Sequence, residues 1–128
     1  MERQRTFTGA PWETKASYCR AIRAGQHIYV TGTTATNQSG EVLFEGQPYE
    51  QARKCLEIIQ GALKDLGADM SHVVRTRMFV TDISLWQEFS KAHHEFFKDH
   101  PPATAMLEIK GLVDPKMLIE IEADAVCD

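Results

Sequence analysis

A chain of 128 residues with 43% hydrophobic residues has the size and composition of one globular domain, residues 1–128, with enough apolar side chains for a core of its own. Fourteen Lys and Arg against eighteen Asp and Glu leave a formal charge of -4, so no long-range field draws the chain to phosphate backbones, and nucleic acid is disfavoured as a partner. No apolar run approaches the roughly 20 residues that span a bilayer, and the polar start Met1-Glu2-Arg3-Gln4-Arg5-Thr6 leads into no signal-peptide core; the expectation is a cytoplasmic protein without a membrane partner.

Residues 18–23 and 26–31 flank Ala24-Gly25, a short connection with glycine where positive φ is needed, and predict a hairpin. Residues 33–47 carry Asn37, Ser39, Gly40 and Gly46 with few apolar side chains; they read as a surface excursion with a short strand at Glu41-Val42-Leu43. From Pro48 the pattern turns helical: Ala52, Cys55, Leu56, Ile59, Leu63 and Leu66 recur at intervals of three and four, with Pro48 suited to a first turn and Gly67 to a left-handed stop. Residues 72–80 alternate Val74, Thr76, Met78 and Val80 with Val73, Arg75, Arg77 and Phe79, which predicts a strand. Ser84 with Gln87 fits a capping box, and Trp86, Phe89, His93 and Phe96 follow at helical spacing, so a second helix runs to about Lys98 before His100-Pro101-Pro102 breaks it. Two strands complete the chain. The sum is an α+β fold, a mainly antiparallel sheet with two helices packed on one face.

The last strand alternates Ile119, Ile121 and Ala123 with Glu120, Glu122 and Asp124, which puts three carboxylates on one side. In an isolated chain a solvated strand face accounts for such a row. Arg75 and Arg77 share a face in the same way, and a solvated face or pairing with neighbouring carboxylates accounts for them. His93, His94 and His100 do not form a metal motif, since adjacent histidines on a helix point about 100° apart; no metal site is expected. Cys19, Cys55 and Cys127 lie far apart with no Cys-x-x-Cys and are expected as free thiols. The aromatic set Trp86, Phe89, Phe96 and Phe97 reads as a core stripe rather than a base-stacking platform.

The run Pro101-Pro102-Ala103-Thr104-Ala105-Met106-Leu107-Glu108-Ile109, followed by Leu118-Ile119-Glu120-Ile121-Glu122-Ala123, resembles the RidA/YjgF family, also known as L-PSP endoribonucleases or reactive-intermediate deaminases. Residues 18–32 and Phe79-Val80-Thr81-Asp82 extend the resemblance over nearly the whole chain. It implies a chorismate-mutase-like fold that forms a homotrimer through the sheet face away from the helices, with a small-molecule ligand in clefts between subunits and no cofactor. Glu120 aligns with the family's active-site glutamate and Tyr18 with the aromatic lining its cleft, while Thr31-Gly32-Thr33 replaces the usual Ser-Gly-Gln and makes Gly32 and Thr33 candidate ligand contacts. A glycine at this place either lets backbone N–H groups approach a ligand or marks a bulge or strand end. Phe79 belongs to the same implied site. Thr104 stands where the family's deaminases carry an arginine that clamps a substrate carboxylate, and Met106 where they often have cysteine. Arg20, two residues after Tyr18 and so on the same strand face, is the candidate replacement cation. The segment 113–118 is slightly longer than the corresponding turn of the archetypal deaminase, which marks a divergent branch. Two functions follow from the resemblance: hydrolysis of an imine or enamine with Glu120 orienting water, or a non-catalytic ligand-binding or regulatory trimer that lost the deaminase chemistry with the arginine.

Overall fold

The computed structural model describes residues 2–128. In chain order its elements are β1 (Arg3–Thr6), α1 (Pro11–Ala16), β2 (Ala21–Ala24), β3 (His27–Thr33), α2 (Pro48–Asp65), β4 (Val73–Val80), α3 (Trp86–Phe97), β5 (Ala103–Glu108) and β6 (Ile119–Val126), with short 3-10 turns before β4 and α3. The strands form one six-stranded sheet in the order β1-β2-β3-β6-β4-β5. Every neighbouring pair is antiparallel except β4 and β5, which run parallel. That exception follows from connectivity: α3 fills the link between them, and a parallel pair needs a crossover of that kind. The last two strands of the chain therefore do not pair with each other, because β4 lies between them.

Helix α2 shows how the apolar period becomes a layer. Cys55, Leu56, Ile59 and Leu63 are fully buried on its sheet-facing stripe, where they meet Ile28 and Val30 of β3 and Ile119 and Ile121 of β6 in one core. Pro48 occupies the first turn, where its missing N–H has no intrahelical role. At the other end Gly67 takes φ 82, its N–H bonds to Lys64 O, and the N–H of Ala68 bonds to Leu63 O, the paired closure of a Schellman motif. The polar Gln51 on this helix is also fully buried: its amide donates to the carbonyls of Leu43, Phe44 and Lys116, and its oxygen accepts from the N–H of Leu118. One side chain thus ties two long connections, 34–47 and 109–118, to the helix.

Four local readings change in the structure. Asp82, not Ser84, caps the segment leading into α3: its carboxylate accepts from the N–H and the hydroxyl of Ser84, and α3 itself begins at Trp86 without a side-chain cap. In β4 a register shift between Val73 and Arg75 breaks the simple alternation, so Val73 is buried while Val74 is turned outward, and the inward series resumes with Thr76, Met78 and Val80. The region before residue 21 holds an edge strand and a short helix that no apolar period announces: β1 is held by backbone pairing to β2, and α1 ends on Ser17 at φ 63. The predicted strand at 41–43 is reduced to a single bridge between Thr36 and Val42. Among the described residues no helix is long and apolar enough to cross a membrane.

Candidate active site

The site grows from a break in the ladder between β3 and β6. Val30 pairs with Ala123 but Thr33 pairs with Ile121, so the β3 backbone bulges at residues 31 and 32. Gly32 sits there because of what lies above it: a Cβ at this position would come within 2.6 Å of Glu120 Oε2 and 2.8 Å of its carboxyl carbon. The two readings of Gly32, backbone approach and bulge, thus meet in one structure, with a carboxylate of the same chain resting on the bare backbone. Glu120 projects from the β6 face opposite the fully buried Ile119 and Ile121. Burial raises its pKa above the ordinary carboxylate value, the neighbouring Glu122 pushes it further, and Arg20 offsets part of the rise.

Tyr18 and Arg20 reach this place from the irregular segment before β2 rather than from a shared strand face, since β2 begins only at Ala21. The Arg20 guanidinium stacks over the Tyr18 ring at 5.5 Å. It is largely buried, and its Nη1 donates to Gly32 O and to Thr33 Oγ1, both at 3.2 Å. Its charge is met by Glu13, whose Oε2 stands 3.2 Å from Arg20 Nε. That N–H is not aimed at the oxygen, so the contact is an ion pair without a hydrogen bond, and Nε has no hydrogen-bond partner. Glu13 is itself buried and accepts from the N–H groups of Thr8 and Gly9 and from the Thr8 hydroxyl. Around Glu120 and Arg20 a cleft of about 220 Å³ is walled by Trp12, Tyr18, Ile58, Val113 and Met117. The cleft is therefore apolar with two opposite charges in its wall, and a third charge, Glu13, behind it.

The remaining candidate residues lie elsewhere. Thr33 is fully buried and serves Arg20 and the Thr31 carbonyl, so its neighbour Thr34 faces the cleft in its stead. Phe79 is the cross-strand partner of Glu120 on the open sheet face but does not line the cleft. Thr104 and Met106 pair with Thr76 and Met78, which places them on the opposite face of the sheet from Glu120. Thr104 borders a second concavity with His93, Ser90, Lys98 and Pro102, where the Thr76 hydroxyl lies 2.7 Å from Thr104 Oγ1 and 2.8 Å from His93 Nε2. Burial lowers the His93 pKa and favours its neutral form. Arg77 is paired with Glu122 at 3.2 Å and Asp124 at 3.4 Å, the plain role expected for it.

Sequence reasoning missed Glu13, Trp12 and Met117. Glu13 had a legible signal: it is the third residue of a helix that begins with Pro11, where a glutamate can reach back to N–H groups ahead of the helix. Trp12 and Met117 had none, because their place in the wall is fixed by loops whose course Gln51 and Glu13 determine.

The chain belongs to the family described as Endoribonuclease L-PSP, whose model matches residues 8–127. It is 32% identical over 123 residues to an uncharacterised protein of Streptomyces coelicolor, covering 95% of this chain and 90% of that one. A Mycobacterium tuberculosis member of the YjgF/YER057c/UK114 family superposes with a TM-score of 0.88 at 38% identity, over 98% of this chain and 99% of that one. A putative endoribonuclease from Thermotoga maritima superposes with a TM-score of 0.89 at 27% identity, over 100% and 99% of the two chains. The α+β architecture and the membership of the RidA/YjgF family stand on these matches, and with them the assignment as a small-molecule-binding protein of Rid type.

Proposed function

We propose that the protein hydrolyses an imine or enamine in clefts completed between the subunits of a homotrimer. The observation that carries this reading is the half-buried carboxylate of Glu120, seated on Gly32 at the mouth of an apolar cleft and with its proton affinity raised. An iminium carbon is already electrophilic, so water needs only to be held against it and relieved of a proton. Glu120 accepts that proton as the C–O bond forms and returns it to nitrogen. The C–N bond then breaks, so that one iminium ion and one water yield one carbonyl compound and one ammonium ion. A carboxylate whose pKa is lifted toward neutrality is better matched to both transfers than an ordinary one.

Two features support the trimer. Tyr29, Phe79, Leu107 and Val126 share the helix-free sheet face with the carboxylate row, and Tyr29 and Leu107 are about half exposed, an apolar patch of the kind that packs against other copies. The residues that the resemblance assigns to one pocket also fall on two separate concavities of a single chain, Tyr18 and Glu120 in one and Thr104 in the other, and packing against a neighbouring copy would join them. Light scattering at micromolar concentration should give three times the chain mass; a stable monomer with full activity contradicts the intersubunit cleft.

The alternative reading, a ligand-binding trimer without turnover, is favoured by Thr104, which cannot supply the two parallel hydrogen bonds a guanidinium offers to a carboxylate. A ribonuclease reading has little to stand on in this cleft, where the cation Arg20 is already neutralised by Glu13. The test is ammonia release from imines made in situ, 2-iminopropionate from an amino acid oxidase and an uncharged imine from an amine oxidase. Acceleration of the uncharged imine with little effect on 2-iminopropionate is expected. No acceleration of either leaves the binding reading, and efficient hydrolysis of 2-iminopropionate shows that Thr104 is no handicap.

A further inference from the structure

The charges around the Glu120 cleft do not cancel, and their imbalance selects a ligand. The cation in the cleft wall, Arg20, is held through two of its three nitrogens: Nε faces the Glu13 carboxylate at 3.2 Å, and Nη1 is shared between Gly32 O and Thr33 Oγ1. Its ring contact with Tyr18 and its burial fix it in that position. Glu13 is equally committed, since Thr8 and Gly9 fill its oxygens from the other side. The pair is thus an internal, neutral support for the bulge under Gly32. Glu120 has no such partner: among the described residues its side chain makes no hydrogen bond and no ion pair, and its carboxylate faces a cleft walled mainly by Trp12, Tyr18, Ile58, Val113 and Met117, with Thr8, Thr34 and Thr36 as its neutral polar members. A carboxylate-bearing ligand entering here meets a like charge and, in Arg20, a cation whose charge Glu13 already balances, whereas a protonated amine or iminium meets its counter-ion in a largely apolar surround that strengthens the attraction.

We propose that the Glu120 cleft is a cation-selective site for small amines and iminium ions with an apolar or aromatic substituent, and that it discriminates against carboxylates. This deepens the hydrolase reading by naming its substrate class and rests on the same cleft. The cleft volume of about 220 Å³ limits the ligand to a small one, below the roughly 300–1,000 Å³ of sites that take drug-sized molecules. Positive charge on the ligand nitrogen is also the form in which an imine is most open to water, so the same contact that binds it prepares it for attack.

The test uses three ligands of nearly equal shape, benzylamine, benzyl alcohol and benzoate, titrated into the intact protein at neutral pH and low salt by calorimetry or ligand-observed NMR. The expected order is cation, then neutral, then anion, with benzylamine about tenfold or more tighter than benzoate. In Glu120→Gln the preference for benzylamine over benzyl alcohol should fall to within about twofold. Glu13→Gln, which keeps the shape and the acceptor oxygen but releases Arg20 from its counter-ion, should shift the preference toward benzoate by about tenfold. Unchanged near-ultraviolet circular dichroism shows that each variant is folded; if Glu13→Gln is not, the Glu120→Gln titrations decide alone. Benzoate binding as tightly as benzylamine, a preference that survives Glu120→Gln, or no binding of any of the three at millimolar concentration overturns the proposal. These outcomes are separate from turnover: amine binding without hydrolysis of any imine would remove the hydrolase reading and leave the cation site standing.

Discussion

The two faces of strand β6 show how one stretch of chain serves two ends. On the helix side Ile119, Ile121, Ala123 and Ala125 are sealed under α2 with at most 1% of their surface exposed, and nothing there titrates. On the other side Glu120, Glu122 and Asp124 stand half-exposed, two of them sharing Arg77 as an ion-pair partner and the third left with a raised pKa over Gly32. The sealed face supplies stability and fixes the strand in register. The open face can then carry an unpaired carboxylate at a defined place, because the backbone beneath it does not yield. Stability and chemistry are separated by the period of two of a single strand.

Changes on the sealed side should cost the most stability and leave the character of the site alone. Leu63→Ala removes a fully buried side chain beneath α2 and should lower stability by roughly 2–5 kcal/mol, against little change for the exposed Lys64→Ala. Urea unfolding separates the two; equal losses would show that the helix face is wrongly assigned. Gln51→Leu fits the same space but strands the Leu118 N–H and the carbonyls of Leu43, Phe44 and Lys116, and a loss of about 2–4 kcal/mol is expected. A loss below about 0.5 kcal/mol would mean that the two loops hold their course without it.

On the open side the expected effects on folding are small and the effects on the site large. Gly32→Ala is compatible with the backbone, but its Cβ collides with the Glu120 carboxylate, which is the mobile end of a side chain and swings aside. The melting temperature should move by no more than a few degrees, while ligand affinity falls about tenfold. Unaltered affinity would show that the seat of Glu120 is unimportant. The smallest effect is the pH dependence of Glu120 itself. Its folded pKa is raised, so the native state holds a proton that the unfolded chain has released once pH exceeds about 4.3, and stability falls as pH rises through the folded value. Glu120→Gln should therefore gain stability relative to the parent between pH 4 and neutrality. Urea melts across that range check the sign, and a relative loss contradicts the raised pKa.

Much of the fold was legible because it depends on local period and punctuation. The stripe from Ala52 to Leu66 with Pro48 and Gly67 at its ends gave α2 nearly to the residue, and the alternation at Ile119, Glu120, Ile121 and Glu122 gave the two faces of β6. What was not legible depends on partners distant in sequence. β1 has no apolar alternation and exists only through its ladder with β2. The pairing of β5 with β4 follows from a crossover, not from any residue in β5. In the site, Glu120, Tyr18, Arg20 and Gly32 were named from the sequence and converge on one cleft, but the state of Arg20 was hidden. Named as the replacement cation, it is held by Glu13, a residue seven positions earlier whose one local signal is its place in the turn opened by Pro11. Thr104 and Met106 were assigned to the same pocket, and strand parity places them on the other face.

The comparison between the faces and the role of Glu120 come to one measurement. Glu120→Gln and Glu122→Gln differ by two residues on the same strand face and remove the same charge, but only the first faces the cleft, while Arg77 keeps Asp124 as a partner in the second. With trimer content and melting behaviour verified, imine hydrolysis should fall by a factor of about 100 or more in Glu120→Gln and stay within about twofold of the parent in Glu122→Gln. Equal rates in the parent and Glu120→Gln, or equal losses in both variants, would contradict a site built on Glu120.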